Sequence, residues 1–233
     1  MTALGSIRPR RTPRALLLSA TAIAMALAPR GASAAGQRPT PVADESLALA
    51  TPKSFAAAVE AIERATGVHG ERLELGGKQV PVSEGRSFAL EARTASRLLA
   101  GSHTSYRRGG FYLFRYDRSY GLPGEKDKVG LLVTADPDVV LRKVGTASPV
   151  RGVTTEQVIA FLHALEKDEA FEVTEIGTDF VSGRFERSPK DPAAIARRTV
   201  QFAPDLVKGH SDPITGLSDL IGRKRILYLM WDN

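Results

Sequence analysis

Residues 154–186 read TTEQVIAFLHALEKDEAFEVTEIGTDFVSGRFE, and this stretch decides the fold. Its first half repeats apolar residues at helical spacing, with Val158, Phe161, Leu162 and Leu165 forming one stripe. Thr154 and Gln157 make a capping box, and Val153 is placed to staple onto Val158. The spacing predicts a helix over Thr154–Lys167. The period then changes. Phe171–Ile176 and Asp179–Glu186 read as two strands turning about Gly177-Thr178. A capped helix feeding a hairpin points to the α+β class.

Working outward, Asp136-Pro137, Asp191-Pro192 and Asp212-Pro213 each read as the start of a helix. The aspartate caps free backbone N–H groups, and proline lacks a donor where none is needed. The first of these helices is expected to end at Gly145, the second before Pro204 and the third near Gly222. Phe111–Tyr116 and Val129–Thr134 read as strands around an Arg118–Lys128 loop. Ile226–Trp231 closes the chain as a strand expected inside the sheet, because both of its faces are apolar. From Val129 the order is strand, helix, helix, hairpin, helix, helix, strand. That order resembles a ferredoxin-like or related α/β sandwich, an antiparallel or mixed sheet with helices packed on it.

Residues 51–108 read as an N-terminal helix–hairpin–helix extension ahead of a 109–233 domain. Thr51-Pro52 opens a helix that Gly67 stops. Gly76-Gly77 turns a hairpin that sets Leu73 opposite Val80. Phe88–Ala100 reads as the second helix. Residues 35–50, with Pro39 and Pro41, read as a flexible lead-in.

The first 34 residues have the pattern of an export leader. Arg8, Arg10, Arg11 and Arg14 precede the uncharged run Ala15–Ala28, and Ala32-Ser33-Ala34 offers a small-residue cleavage site. The run is shorter than the roughly 20 apolar residues a permanent span needs. Cleavage after Ala34 removes five arginines and no carboxylate from a chain of 32 basic and 26 acidic residues. The mature chain then carries 27 against 26, and its net charge falls from +6 to +1. The basic balance that would invite nucleic acid belongs to the leader, so no nucleic-acid partner and no transmembrane helix are expected of the mature chain. The expected location is periplasmic or secreted. The sequence has no cysteine, which excludes disulfides, thiolate metal sites and a cysteine nucleophile.

Several blocks share a further likeness. They are Gly110–Phe114, Gly130–Asp136, Val144-Gly145-Thr146, Asp179–Phe185, Phe202-Ala203-Pro204-Asp205 and Leu227–Asp232. In order and spacing they resemble DUF4253, a bacterial domain family of unknown function, over roughly Ser96–Asp232. The resemblance implies no known activity. It does imply departures: the family usually has cysteine where Ala203 stands, an acidic-amide-glycine run where Lys208-Gly209-His210 stands, and paired tryptophans where Met230-Trp231 stands.

No catalytic constellation emerges. His69, His103, His163 and His210 have no metalloprotease spacing, with His103 and His210 expected in loops. No nucleophile elbow or phosphate loop is present. The polar candidates are Asp179, Arg184, Asp205, His210 and Asp232, with Trp231 as an aromatic contact. If strand ends gather at one sheet edge, their carboxylates could do acid/base work or hold a divalent cation. The alternative is that each caps a turn or meets an arginine. The expectation is an exported, non-catalytic module binding an unknown protein or small ligand in the cell envelope, with no metal or cofactor. The competing expectation is an envelope hydrolase or transferase using clustered carboxylates, with or without a divalent metal.

Overall fold

The computed structural model describes residues 46–120, 122–208 and 212–232. Residues 1–34, expected to be an export leader, and His210 lie outside the described residues. Among the described residues the strands are β1 (Glu71–Arg72), β2 (Glu74–Leu75), β3 (Lys78–Gln79), β4 (Gly85–Leu90), β5 (Tyr112–Asp117), β6 (Asp127–Leu132), β7 (Phe171–Ile176), β8 (Phe180–Phe185) and β9 (Ile226–Met230). The helices are α1 (Phe55–Thr66), α2 (Ala92–Arg108), α3 (Pro137–Val144), α4 (Thr155–Glu166), α5 (Pro192–Phe202) and α6 (Pro213–Asp219).

Seven strands form a mixed sheet in the order β1-β4-β6-β5-β7-β8-β9, while β2 and β3 make a separate hairpin. Neighbours run antiparallel except β5 and β7, which are parallel and meet at Arg115 and Glu175. Helices pack against this sheet, so the architecture is α+β. The capping box at Thr154 forms as its residues require, and Val158, Leu162 and Leu165 are buried. Phe161 is half-buried and stacks on Phe202 at 4.4 Å. All three Asp-Pro starts place the aspartate side chain on a free N–H, those of Asp138, Ala194 and Thr215. Gly76 and Gly77 both take positive φ, and the Val80 N–H donates to the Leu73 carbonyl at 2.9 Å, so the expected hairpin register forms.

The 51–108 segment differs from its sequence reading. Gly85–Leu90 is a strand, not the first turn of a helix. Local helix formers such as Ala89 and Leu90 yield to the pairing of Phe88 with Val129 and Leu90 with Asp127. α2 then runs past Ala100 to Arg108. Its buried stripe contains Ser102, His103 and Tyr106, polar residues that find partners. The Ser102 hydroxyl donates to the Leu47 carbonyl at 2.6 Å and accepts the Leu49 N–H. The Tyr106 hydroxyl donates to the Ala58 carbonyl, and burial pushes its pKa up to about 12. Residues 46–50 therefore lie along α2, so closely that a Cβ on Gly101 would meet the Leu47 carbonyl oxygen at 2.5 Å. Through β1 and β4 the segment shares one sheet with the rest of the chain. Ala58, Ile62, Phe88, Leu98, Leu113 and Val129 belong to one core.

A second correction concerns β9. Among the described residues it lies at the edge of the sheet, beside β8 alone. Leu227 and Leu229 are buried, whereas Ile226, Tyr228 and Met230 are half-exposed. An edge strand can carry apolar residues on both faces without being enclosed, which composition does not distinguish from an interior strand.

Candidate functional site

The antiparallel pairing of β8 with β9 sets Phe180 opposite Met230, which places the residues after β9 next to the turn before β8. The Trp231 N–H donates to the Asp179 carbonyl at 2.9 Å. From the other side a short 3-10 turn, Pro204–Val207, brings in Asp205, whose Oδ2 accepts the Asp232 N–H at 3.3 Å. Four of the sequence candidates, Asp179, Asp205, Trp231 and Asp232, thus meet at one corner. Arg184 does not join them. It pairs with Ile226 at the far end of β9 and is exposed.

The corner's carboxylates are held in different ways. The Asp205 side chain is 1% exposed and receives a two-pronged contact from Arg151, through Nε at 3.0 Å to Oδ2 and through Nη2 to Oδ1. The Arg151 hydrogen bond holds its carboxyl below the usual range, aided by the Asp232 N–H, although burial works in the opposite direction. Asp205 is thus a fixed anion and a poor proton donor. Asp179 is shifted the other way: burial raises its pKa, and the charges of Asp117 and Asp232 add to the rise. Asp232 is exposed, with Lys208 Nζ at 3.5 Å. Trp231 is 1% exposed, its indole N–H directed to the Phe202 carbonyl at 3.4 Å. It is a core residue, not a surface contact.

A second polar assembly, which the sequence reading did not identify, occupies the parallel joint between β5 and β7. Arg115 is buried between two carboxylates, Asp127 Oδ2 at 3.1 Å from Nε and Glu175 Oε1 at 3.3 Å from Nη1, and its Nη2 donates to the Ser96 hydroxyl. Burial lowers the Arg115 pKa and Glu175 opposes that shift. Asp127 also accepts from the Ser119 N–H and hydroxyl at 2.8 and 2.7 Å. Arg118 donates to Glu175 Oε2 and lies over the Tyr228 ring, 5.4 Å from its centroid. The Tyr228 hydroxyl meets that of Tyr120 at 3.2 Å, and burial raises the Tyr228 pKa. Tyr120 holds a positive φ of 51° and is 56% exposed. A detectable signal was present in the strands themselves. Arg115 and Glu175 are opposite charges at inward positions of apolar strands, and such positions require a partner.

His103 lies on α2, not in a loop. Nδ1 must donate to the Leu113 carbonyl at 2.6 Å, since a carbonyl only accepts. Nε2 then faces Glu172 Oε1 at 3.5 Å. His163 is an exposed helix residue with Nε2 3.1 Å from Asp138. Among the described residues no group of three or more His, Asp or Glu is arranged to hold a metal ion, and no helix is long and apolar enough to cross a membrane. Two shallow hollows of about 480 and 530 Å³ flank α1, and neither touches a sequence candidate.

Residues 128–232 match the family model described as Domain of unknown function (DUF4253). This segment is a DUF4253 domain. The match begins within β6, so of the resembling blocks only Gly110–Phe114 falls outside it. No curated protein and no solved structure matches the chain. The DUF4253 segment contains the whole Asp179–Asp205–Asp232 corner together with Glu175 and Tyr228. The rest of the second assembly, Arg115, Arg118, Asp127, Ser96, Ser119 and Tyr120, comes from outside it.

Proposed function

We propose that the chain is an exported, non-catalytic binding module that engages a protein or small ligand of the cell envelope. The observation that carries this reading is Asp205. The carboxylate best placed for chemistry is spent on Arg151 and on the Asp232 backbone, so it closes the corner of the fold. The export half rests on the arginine-led, acid-free leader and its Ala32-Ser33-Ala34 site. The binding face is the half-open surface beside β8 and β9. Arg184 and Tyr228 present themselves there, with Tyr120 and Arg118 from the β5–β6 loop. Tyrosine and arginine are the side chains that most often anchor interfaces.

Affinity capture from envelope extract by residues 35–233, with mass spectrometry of the recovered material, tests this. Arg184→Ala combined with Tyr120→Ala should lose the captured species and keep the wild-type melting temperature. Asp205→Asn should lower the melting temperature. A partner retained by the double variant would contradict the assigned face.

One observation favours the competing reading, an envelope hydrolase or transferase. Asp179 has a raised pKa with Asp117 and Asp232 nearby, the environment of a proton-holding acid. Its metal form predicts a thermal shift with Ca²⁺, Mg²⁺, Mn²⁺ or Zn²⁺ that Asp179→Asn abolishes. An unshifted melt with all four cations removes that form.

A further inference from the structure

The outer edge of β9 has a definite length and a definite charge order. Its inner edge is fixed by two bonds that bracket the strand: the Phe185 N–H to the Arg225 carbonyl, and the Trp231 N–H to the Asp179 carbonyl. In an antiparallel ladder, bonded residues alternate. Leu227 and Leu229 therefore turn their backbone groups to β8, and Ile226, Tyr228 and Met230 turn theirs outward. Among the described residues no strand pairs with that side. Natural edge strands are usually guarded by lysine, proline or a bulge. β9 is Ile-Leu-Tyr-Leu-Met, with none of these.

The open stretch is bounded at both ends. At its start Arg225 takes a left-handed conformation with φ 59°, which swings the preceding chain aside. At its end the Pro204–Val207 turn stands beside the strand, with Asp205 on the outward N–H of Asp232. The ends also differ in charge. Arg223, Lys224 and Arg225 precede β9, and Lys224 is exposed with no ion pair among the described residues. Asp232 follows it, exposed, and Asp179 and Asp205 lie close by.

We infer that β9 pairs antiparallel with β9 of a second copy of this chain, about a two-fold axis at Tyr228, joining two seven-stranded sheets into one. In this register Tyr228 faces its own copy and Ile226 faces Met230, each pair exchanging both of its backbone bonds. All three outward residues are used, and every cross-strand pair is apolar. The basic turn that precedes β9 in one copy, with Lys224, then comes to the same end of the joint as Asp232 of the other, twice over. The bend at Arg225 in each copy turns the chain away where the other copy's Pro204–Val207 turn stands. A longer extended peptide would collide with that turn, which is why a second copy fits the edge better than a foreign strand does.

Sedimentation analysis of residues 35–233 across the micromolar range tests the pairing. A dimer is expected. Lys224→Glu or Asp232→Lys alone should weaken dimerisation by about tenfold or more, since each brings like charges together at both ends of the joint. The double variant Lys224→Glu/Asp232→Lys should restore it, with circular dichroism unchanged throughout. A monomeric wild type, a dimer indifferent to the single swaps, or a double swap that fails to restore association would each overturn the proposal. So would a foreign protein segment captured on β9 in place of a second copy.

Discussion

Trp231 is enclosed, its ring edge-on to Phe202 at 5.7 Å. Trp231→Ala should therefore cost about 3–5 kcal/mol in denaturant unfolding, as truncation of a core aromatic does. A melt unchanged from wild type would mean the indole faces solvent. His103 makes a prediction of a different kind. Burial lowers its pKa from 6.5, with Arg107 adding to the effect, while Glu172 and the Leu113 carbonyl oppose it. The unfolded chain thus takes up this proton more readily than the folded one. Stability from this group is complete above pH 6.5 and declines as pH falls below that value toward the folded pKa. His103→Gln should flatten that decline in melts between about pH 7.5 and 5. For Asp205 the depressed pKa acts further down the scale: its contribution holds above the usual 3.8 and is lost as pH falls through the folded value. At this scale turn and strand-end positions marked Asp179, Asp205, Trp231 and Asp232 in the sequence, and the fold brings the four to one corner. The sequence could not separate a carboxylate that caps a fold from one that reacts, since Arg151 lies 54 residues from Asp205.

Among elements, the joint between β5 and β7 carries the highest stakes. Removing one partner from a buried ionic group leaves an uncompensated charge, typically costing about 3–5 kcal/mol. Arg115→Ala should show a loss of that size, because Asp127 and Glu175 remain enclosed. An Arg115→Ala melt within a degree of wild type would show that water reaches the joint. Capped helices were legible from sequence because Thr154, Asp136, Asp191 and Asp212 act on backbone within three residues of themselves. The strand Gly85–Leu90 was not. Its partner β6 begins 37 residues beyond its last residue, and local composition favours helix. The parallel contact of β5 with β7 was hidden for the same reason: only its stranded charges, Arg115 and Glu175, announce it.

The DUF4253 match and the folded unit have different boundaries. The matched segment begins at Lys128, inside β6, and omits β4 and β5. β6 would then lose both neighbours, and β7 would lose its parallel partner. A fragment of residues 128–232 should show no cooperative thermal transition, whereas residues 35–233 should melt in one step. A sigmoidal melt for the fragment would refute the dependence. The proposed function depends on where the molecule works: if residues 1–34 are cut off as an export leader, their five arginines leave with them and the net charge falls from +6 to +1. Intact-mass measurement of the native protein from an envelope fraction tests this most directly. The account predicts the mass of a chain starting at Ala35. A full-length chain starting at Met1 and recovered from the cytosol would contradict it, restoring the +6 charge and with it a case for nucleic-acid partners.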